Sequence, residues 1–202
     1  MTGPRLASAA AALLGAPRVR LYQSCVFVKR PGFGRTNWHS DLRMAPLDTN
    51  AFVTAWVPLR AVRGGEADSG LVVAEGSHRD FALPFWRDLR GPGPDLGSRG
   101  YKVVGVAPLA AGDASWHHGW AVHAAPPQPP GSPGRAALAV SFFADGARTL
   151  DPAGDPSLRP GALHDEDRES YADWLGQVPP GGPAAHRLLP LVWPPGGAGG
   201  GA

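Results

Sequence analysis

Residues 112–143 read GDASWHHGWAVHAAPPQPPGSPGRAALAVSFF, and their punctuation decides the fold class. Gly112-Asp113 marks a turn. Ala114–His123 has strand character and carries three histidines, His117, His118 and His123. Residues 124–134, AAPPQPPGSPG, hold too much proline for the interior of a helix or a strand. Ala136–Phe143 is then a short apolar run that fits a buried strand. Strand, irregular loop and strand, with no helix between, is the pattern of an antiparallel β protein.

Working outward, the same pattern recurs. Val19–Arg30 (VRLYQSCVFVKR) is β-branched and aromatic, residues 51–59 (AFVTAWVPL) are mostly apolar, Leu71–Ala74 is short and strand-like, and Tyr101–Ala107 is a further strand. Helix is expected at Leu6–Leu14, ended by Gly15 and Pro17, at one turn around Ala82–Leu89, and at Glu166–Leu175 with Asp165 as N-cap. The fold class is therefore mainly β, a sandwich or barrel with a jelly roll as its simplest version, and a few short helices. The expected organisation is an N-terminal helix over 1–17, a β core over 18–145, a loop and short helix over 146–193 that packs on the core, and a Gly-rich tail over 194–202.

Composition narrows the function classes. Gly (28) and Pro (23) make a quarter of the 202 residues, and 37 of these 51 fall after residue 90. With 43% hydrophobic residues, seven Trp and a net charge of +2, the chain still has a core to bury, so this load marks loops and a tail. A single cysteine, Cys25, excludes an internal disulfide framework and a cysteine-based metal cluster. The sequence pI is about 9.0, yet 19 Lys+Arg face 17 Asp+Glu, only Lys29 and Lys102 are lysines, and no basic run tracks a phosphate backbone. Nucleic acid is not an expected partner. No stretch of 18 apolar residues is present, so no transmembrane helix is expected. The start, Met1–Gly15, reads better as a short helix than as a signal peptide, and the expected location is cytoplasmic.

The chemistry concentrates in two places. In Trp38-His39-Ser40-Asp41 the histidine and the acid are two residues apart, so in an extended segment both point to one side and reach one metal ion. The segment 112–123 offers further imidazoles. Two histidines and one carboxylate on one face leave positions open for substrate and oxygen, the facial arrangement of non-haem Fe(II) oxygenases. Twelve residues after His123, Arg135 opens an apolar strand. A buried guanidinium needs an anionic partner, and its fork fits the far carboxylate of a dicarboxylate co-substrate.

Together these segments resemble the phytanoyl-CoA dioxygenase-like family of Fe(II)/2-oxoglutarate oxygenases. Lys29-Arg30-Pro31-Gly32-Phe33-Gly34 with Trp38-His39-Ser40-Asp41 is similar to the family's K-x-P-G-x-G…W-H-x-D. Residues 54–59 (TAWVPL), Ser69-Gly70-Leu71 and Glu75-Gly76-Ser77-His78-Arg79 are similar to its W-x-x-L…N-G-x-L…P-G-S-H-[KR]. Residues 112–123 resemble G-D-x-x-x-H-x-G-x-x-x-H, and Arg135 resembles the closing R-x-x-x element. The likeness covers about residues 18–145 and implies a double-stranded β-helix core.

By this resemblance His39, Asp41 and His123 are the iron ligands, and the spacing from His123 to Arg135 is what prefers it over His117 and His118. Arg135 becomes the 2-oxoglutarate clamp, and Lys29, Thr36 and Trp56 line the co-substrate pocket. Gln23, six residues before Lys29 on one strand, leaves the same face and joins them. His118 and Trp120 sit beside the ligand strand and are expected to face substrate. The implied cofactors are Fe(II) and 2-oxoglutarate, with ascorbate as reductant. The implied partners are O2 and a small-molecule substrate that is hydroxylated, because halogenating relatives have Ala or Gly where Asp41 stands. Three departures are visible: Ala125 replaces a family Ser or Thr, Ser69-Gly70 replaces Asn-Gly, and the chain starts later than family members usually do. The late start and Ala125 motivate a second expectation, a truncated or impaired relative acting as a binding or scaffold module. His78 and Asp113 are read as loop and turn residues.

Overall fold

The computed structural model describes residues 3–64, 68–80, 96, 99–151 and 171–195. The N-terminal helix α1 spans Pro4–Leu14. Pro4 stands in its first turn, where a missing N–H is not needed, and the alanine run that follows has high helix propensity. Gly15 ends it in the left-handed region at φ 60°, and the N–H groups of Gly15 and Ala16 close onto the carbonyls of Ala12 and Ala11.

The strands are β1 (Val19–Lys29), β2 (Thr36–His39), β3 (Leu47–Asp48), β4 (Phe52–Pro58), β5 (Val72–Ala74), β6 (Val103–Gly105), β7 (Ser115–His118), β8 (His123–Ala125), β9 (Arg135–Ala144), β10 (Arg148–Thr149) and β11 (Leu191–Trp193). A second helix, α2, covers Ala172–Leu175. The sheet orders are β11-β1-β9-β4-β7, β2-β8-β5-β6 and β10-β3. The strand pairs β2·β8, β5·β8, β5·β6 and β10·β3 are antiparallel, as the turn-rich sequence predicts.

The chain forms two compact units. The first comprises Met1–Gln23, Met44–Val53 and Val140–Ala202. In it Arg18 and Arg20 both pair with Asp145, at 2.7 and 2.5 Å, and Tyr22 meets Phe52 edge-on with centroids 5.4 Å apart. Ala7, Ala10 and Ala11 form the buried side of α1, which packs beside β11.

The second unit comprises Ser24–Arg43 and Thr54–Ala139. Its core joins Trp56 of β4 and Ala137 of β9 to Ala125 of β8, with Leu71 and Val62. These alternate side chains come from two different sheets, which is how sheets pack face to face. His39, Asp41 and His123 all lie in this unit.

One expected strand divides. Ala114–His123 is β7, a turn at Gly119-Trp120, and β8, and the two strands join different sheets. Gly119 allows the break, and the Ala121 N–H closes the turn on the His118 carbonyl at 2.8 Å. β8 also runs two residues into the Ala-Ala pair ahead of the prolines. The expected turn at Ala82–Leu89 and the start of the helix at Glu166, with its cap Asp165, lie outside the described residues. Among the described residues no helix is long and apolar enough to cross a membrane.

Candidate metal centre

Strand register builds this site. In the antiparallel pair of β2 and β8, Thr36 faces Ala125 and His39 faces His123, so three steps on β2 match two on β8. The extra residue is a bulge, which re-aims a side chain without ending the strand. It brings His39 directly opposite His123, with ring centroids 4.2 Å apart. Asp41 arrives differently from the extended-segment expectation. The strand stops at His39, and Asp41 opens a 3-10 turn, Asp41–Met44, pinned by the Leu42 N–H on the Gly119 carbonyl at 2.9 Å. The chain turns at Ser40, and the acid swings back onto the two histidines.

One ligand atom from each of His39, Asp41 and His123 lies within 4.8 Å of the others. The Nε2 atoms of His39 and His123 stand 3.7 and 3.5 Å from Asp41 Oδ1, converging without good hydrogen bonds to it. Each ring is oriented by its other nitrogen. His39 Nδ1 donates to the Asn37 carbonyl at 2.8 Å, and His123 Nδ1 to the Ala121 carbonyl at 3.0 Å. A carbonyl only accepts, so both Nδ1 atoms carry a proton, and in the neutral ring this tautomer leaves Nε2 free to bind a metal. Asp41 is held in the same way. Its Oδ2 accepts from Thr54 Oγ1 at 2.6 Å and from His117 Nε2 at 3.0 Å, which leaves Oδ1 facing the imidazoles.

Charge states agree with this. Burial opposes ionisation of Asp41, but His123, His117 and His39 around it prevail and hold its carboxyl well below the usual carboxylate range. Burial, joined by His117 and His39 against the opposing pull of Asp41, pushes His123 down to about 3. A carboxylate oxygen and two imidazole nitrogens suit a divalent first-row metal such as Fe(II). The donor set therefore fits an iron ion held by His39, Asp41 and His123.

A second group of buried polar residues stands in the same unit. Arg135, 5% exposed, donates from one terminal nitrogen to the Ser69 carbonyl at 2.8 Å, and its guanidinium carbon is 5.2 Å from the Trp56 ring centroid. Its buried Nε has no hydrogen-bond partner among the described residues. Lys29, 6% exposed, donates to the carbonyls of Pro126 and Ala125 at 2.6 and 3.2 Å. Burial and then the nearby Arg135 push its ammonium down to about 8. Two buried cations, one of them with an unused donor, suit a carboxylate ligand.

Of the other expected site residues, Trp56 is buried against Arg135, whereas Thr36 is exposed on β2. His118 and Trp120 are partly buried, and the His118 ring lies 5.3 Å from that of His78. Gln23 is partly buried and falls in the first unit. The sequence reading missed Thr54 and the role of His117. Their only signal was position: Thr54 is a lone hydroxyl in an apolar strand, and His117 lies one residue from a histidine of opposite facing.

Fold and site together define a jelly-roll oxygenase of the non-haem iron, 2-oxoglutarate-dependent class. The chain belongs to the phytanoyl-CoA dioxygenase family (PhyH), whose model matches residues 2–130. Comparison with curated proteins finds no match. Among solved structures the chain is similar to the non-heme α-ketoglutarate-dependent carbocyclase SnoK of nogalamycin biosynthesis, with 26% identity, a TM-score of 0.68, and coverage of 92% of this chain and 66% of that one. The epimerase SnoN of the same biosynthesis, solved with Fe3+, α-ketoglutarate and nogalamycin RO, gives 25% identity, a TM-score of 0.67, and coverage of 95% and 71%. EctD from S. alaskensis, solved with 2-oxoglutarate and 5-hydroxyectoine, shares the fold at 22% identity and a TM-score of 0.60, over 81% of this chain and 57% of that one. The chain spans about two thirds of the length of SnoK and SnoN.

Proposed function

We propose that this chain oxidises a small-molecule substrate with O2 and 2-oxoglutarate, hydroxylating an unactivated C–H bond and releasing succinate and CO2. The observation that carries this reading is the convergence of His39 Nε2, His123 Nε2 and Asp41 Oδ1 with each opposite atom already committed to a protein partner. Bound Fe(II) would supply O2 activation at that point, while the protein supplies orientation and a sheltered pocket.

The residues divide the work. His39, Asp41 and His123 hold the metal, and Asp41 in place of a small residue favours hydroxyl transfer over halogenation. Arg135 and Lys29 take the far carboxylate of 2-oxoglutarate, with Trp56 as the flat wall under the guanidinium. Thr36 stands on the co-substrate side. His118 and Trp120 face the substrate.

Anaerobic addition of Fe(II) and 2-oxoglutarate should produce a visible metal-to-ligand charge-transfer band that His39→Ala lacks. Intact protein with no band beyond that of the variant would overturn the reading. The carbocyclase and epimerase chemistry of SnoK and SnoN gives a second reading, in which hydrogen abstraction ends in ring closure or inversion. Product mass separates the two, since hydroxylation adds one oxygen atom and the other outcomes add none.

A further inference from the structure

The loop 126–134 carries a long buried polar side chain that no part of the proposed reaction uses. Gln128 is 1% exposed in a run otherwise made of proline, glycine and Ser132. All of its side-chain amide is engaged. Its Oε1 accepts from the Ser69 N–H at 3.2 Å, and its Nε2 donates to Asp68 Oδ1 at 2.9 Å and to Ser132 Oγ at 2.6 Å. Its backbone is engaged too, with its N–H on the Phe33 carbonyl at 2.8 Å and its carbonyl taking the Gly32 N–H at 3.0 Å.

These bonds join the segments that carry the two buried cations. Gly32 and Phe33 follow Lys29. Ser69 supplies the carbonyl that Arg135 grips, at 2.8 Å, and its hydroxyl stands 3.4 Å from the same nitrogen. Asp68, 1% exposed, is the anion that opposes the effect of burial on Arg135. A planar amide with its donors and acceptor all satisfied has one orientation, so it fixes the three segments in one arrangement.

We infer that Gln128 is a positioning residue for 2-oxoglutarate, holding the Asp68-Ser69 segment so that the Arg135 guanidinium presents its fork to the far carboxylate. The inference rests on the co-substrate reading above, and it concerns one end of that molecule only. Two metal-chelating ligands separate the ends. Oxalate chelates the metal and has no far carboxylate, whereas 2-oxoglutarate uses both sites.

The test is anaerobic calorimetric titration of Mn(II)-loaded protein with each ligand. Gln128→Ala should weaken 2-oxoglutarate binding by about 10- to 100-fold, the scale of a misplaced positioning contact, and leave oxalate binding unchanged. Ser132→Ala removes the acceptor of the 2.6 Å bond, together with a long 3.4 Å contact from the Gly134 N–H, and should give a smaller loss in the same direction, which keeps the test decisive if Gln128→Ala does not fold. Unchanged 2-oxoglutarate affinity in the folded variants overturns the inference. So does an equal loss for both ligands, because that is general damage to the unit. Wild-type protein that binds oxalate but not 2-oxoglutarate refutes the co-substrate reading itself, and the role of Gln128 with it.

Discussion

Thr54→Val should weaken metal binding without altering the fold. Thr54 is 3% exposed on β4 and donates to Asp41 Oδ2 at 2.6 Å, the shorter of the two bonds on that oxygen. Valine keeps the side-chain shape and removes the donor, leaving His117 alone on Oδ2. A hydrogen bond to a charged group contributes about 1.5–3 kcal/mol. At about 1.4 kcal/mol per factor of ten, its loss raises the metal dissociation constant by about 10- to 100-fold, the range seen for partners of metal ligands. His117→Phe removes the other donor and should act similarly. Because both bonds end on one oxygen, the two changes are not independent. Either donor alone still directs the carboxylate, so the double variant should lose more than the sum of the singles. Titration of the apo-protein with Mn(II) gives all four affinities, and thermal melts confirm that each variant is folded. Folded single and double variants that bind Mn(II) as tightly as the wild type would refute the claim that Thr54 and His117 aim Asp41.

Arg135→Ala should leave Mn(II) affinity intact and raise the 2-oxoglutarate dissociation constant at least about 30-fold, the lower end of losing one partner of a buried charge pair. Arg135→Lys should not rescue it, because an ammonium lacks the planar fork. The 2-oxoglutarate affinity should also fall as pH rises above about 8, where the depressed Lys29 ammonium loses its proton. The sign follows from linkage: a bound dianion favours the charged form, so binding above pH 8 takes up a proton. Lys29→Met should flatten that profile, and an unchanged slope in titrations across pH 7–9.5 would exclude Lys29. Gly134→Ala should lower the melting temperature, because Gly134 sits at φ +78° and a Cβ there would meet the Lys29 carbonyl at 3.1 Å and Pro31 Cδ at 3.3 Å. The strain is about 1–3 kcal/mol, and a melt equal to the wild type would show that the turn relaxes.

The strands were legible wherever the chain is apolar over several residues. Residues 51–59 and 136–143 gave β4 and β9 almost to the residue, because burial alone sets their pattern. The convergence of His39, Asp41 and His123 was legible through their motif, yet its geometry was not. Local spacing suggests that His39 and Asp41 share a face by strand alternation. The fold uses a bulge before His39 and a turn at Ser40 instead, and both depend on pairing with β8, eighty residues away in sequence. The division of Ala114–His123 between two sheets was hidden for the same reason. Gly119 permits the break, but the partners waiting on either side require it, and those are tertiary facts. Thr54 and Gln128 escaped notice because a single hydroxyl or amide has no periodicity, and its meaning comes only from what packs against it.

Residues 124–135 show how the proline content serves the site. Five prolines between 126 and 133 lack backbone N–H groups and have φ already fixed. Between the end of β8 at Ala125 and the start of β9 at Arg135 the chain does not pair as a strand, and carbonyls at its entry stay available as acceptors. Two of them, on Ala125 and Pro126, hold the Lys29 ammonium. The sole long polar side chain within the run, Gln128, reaches Asp68, Ser69 and Ser132. A chain stiffened by proline loses less conformational entropy on ordering, so these contacts act on a loop that is already restricted. His123 stands at one end of this segment and Arg135 at the other. His123 on β8 and Arg135 on β9, the proposed metal ligand and co-substrate cation, are therefore joined by a proline-rich loop whose buried contacts run through Gln128.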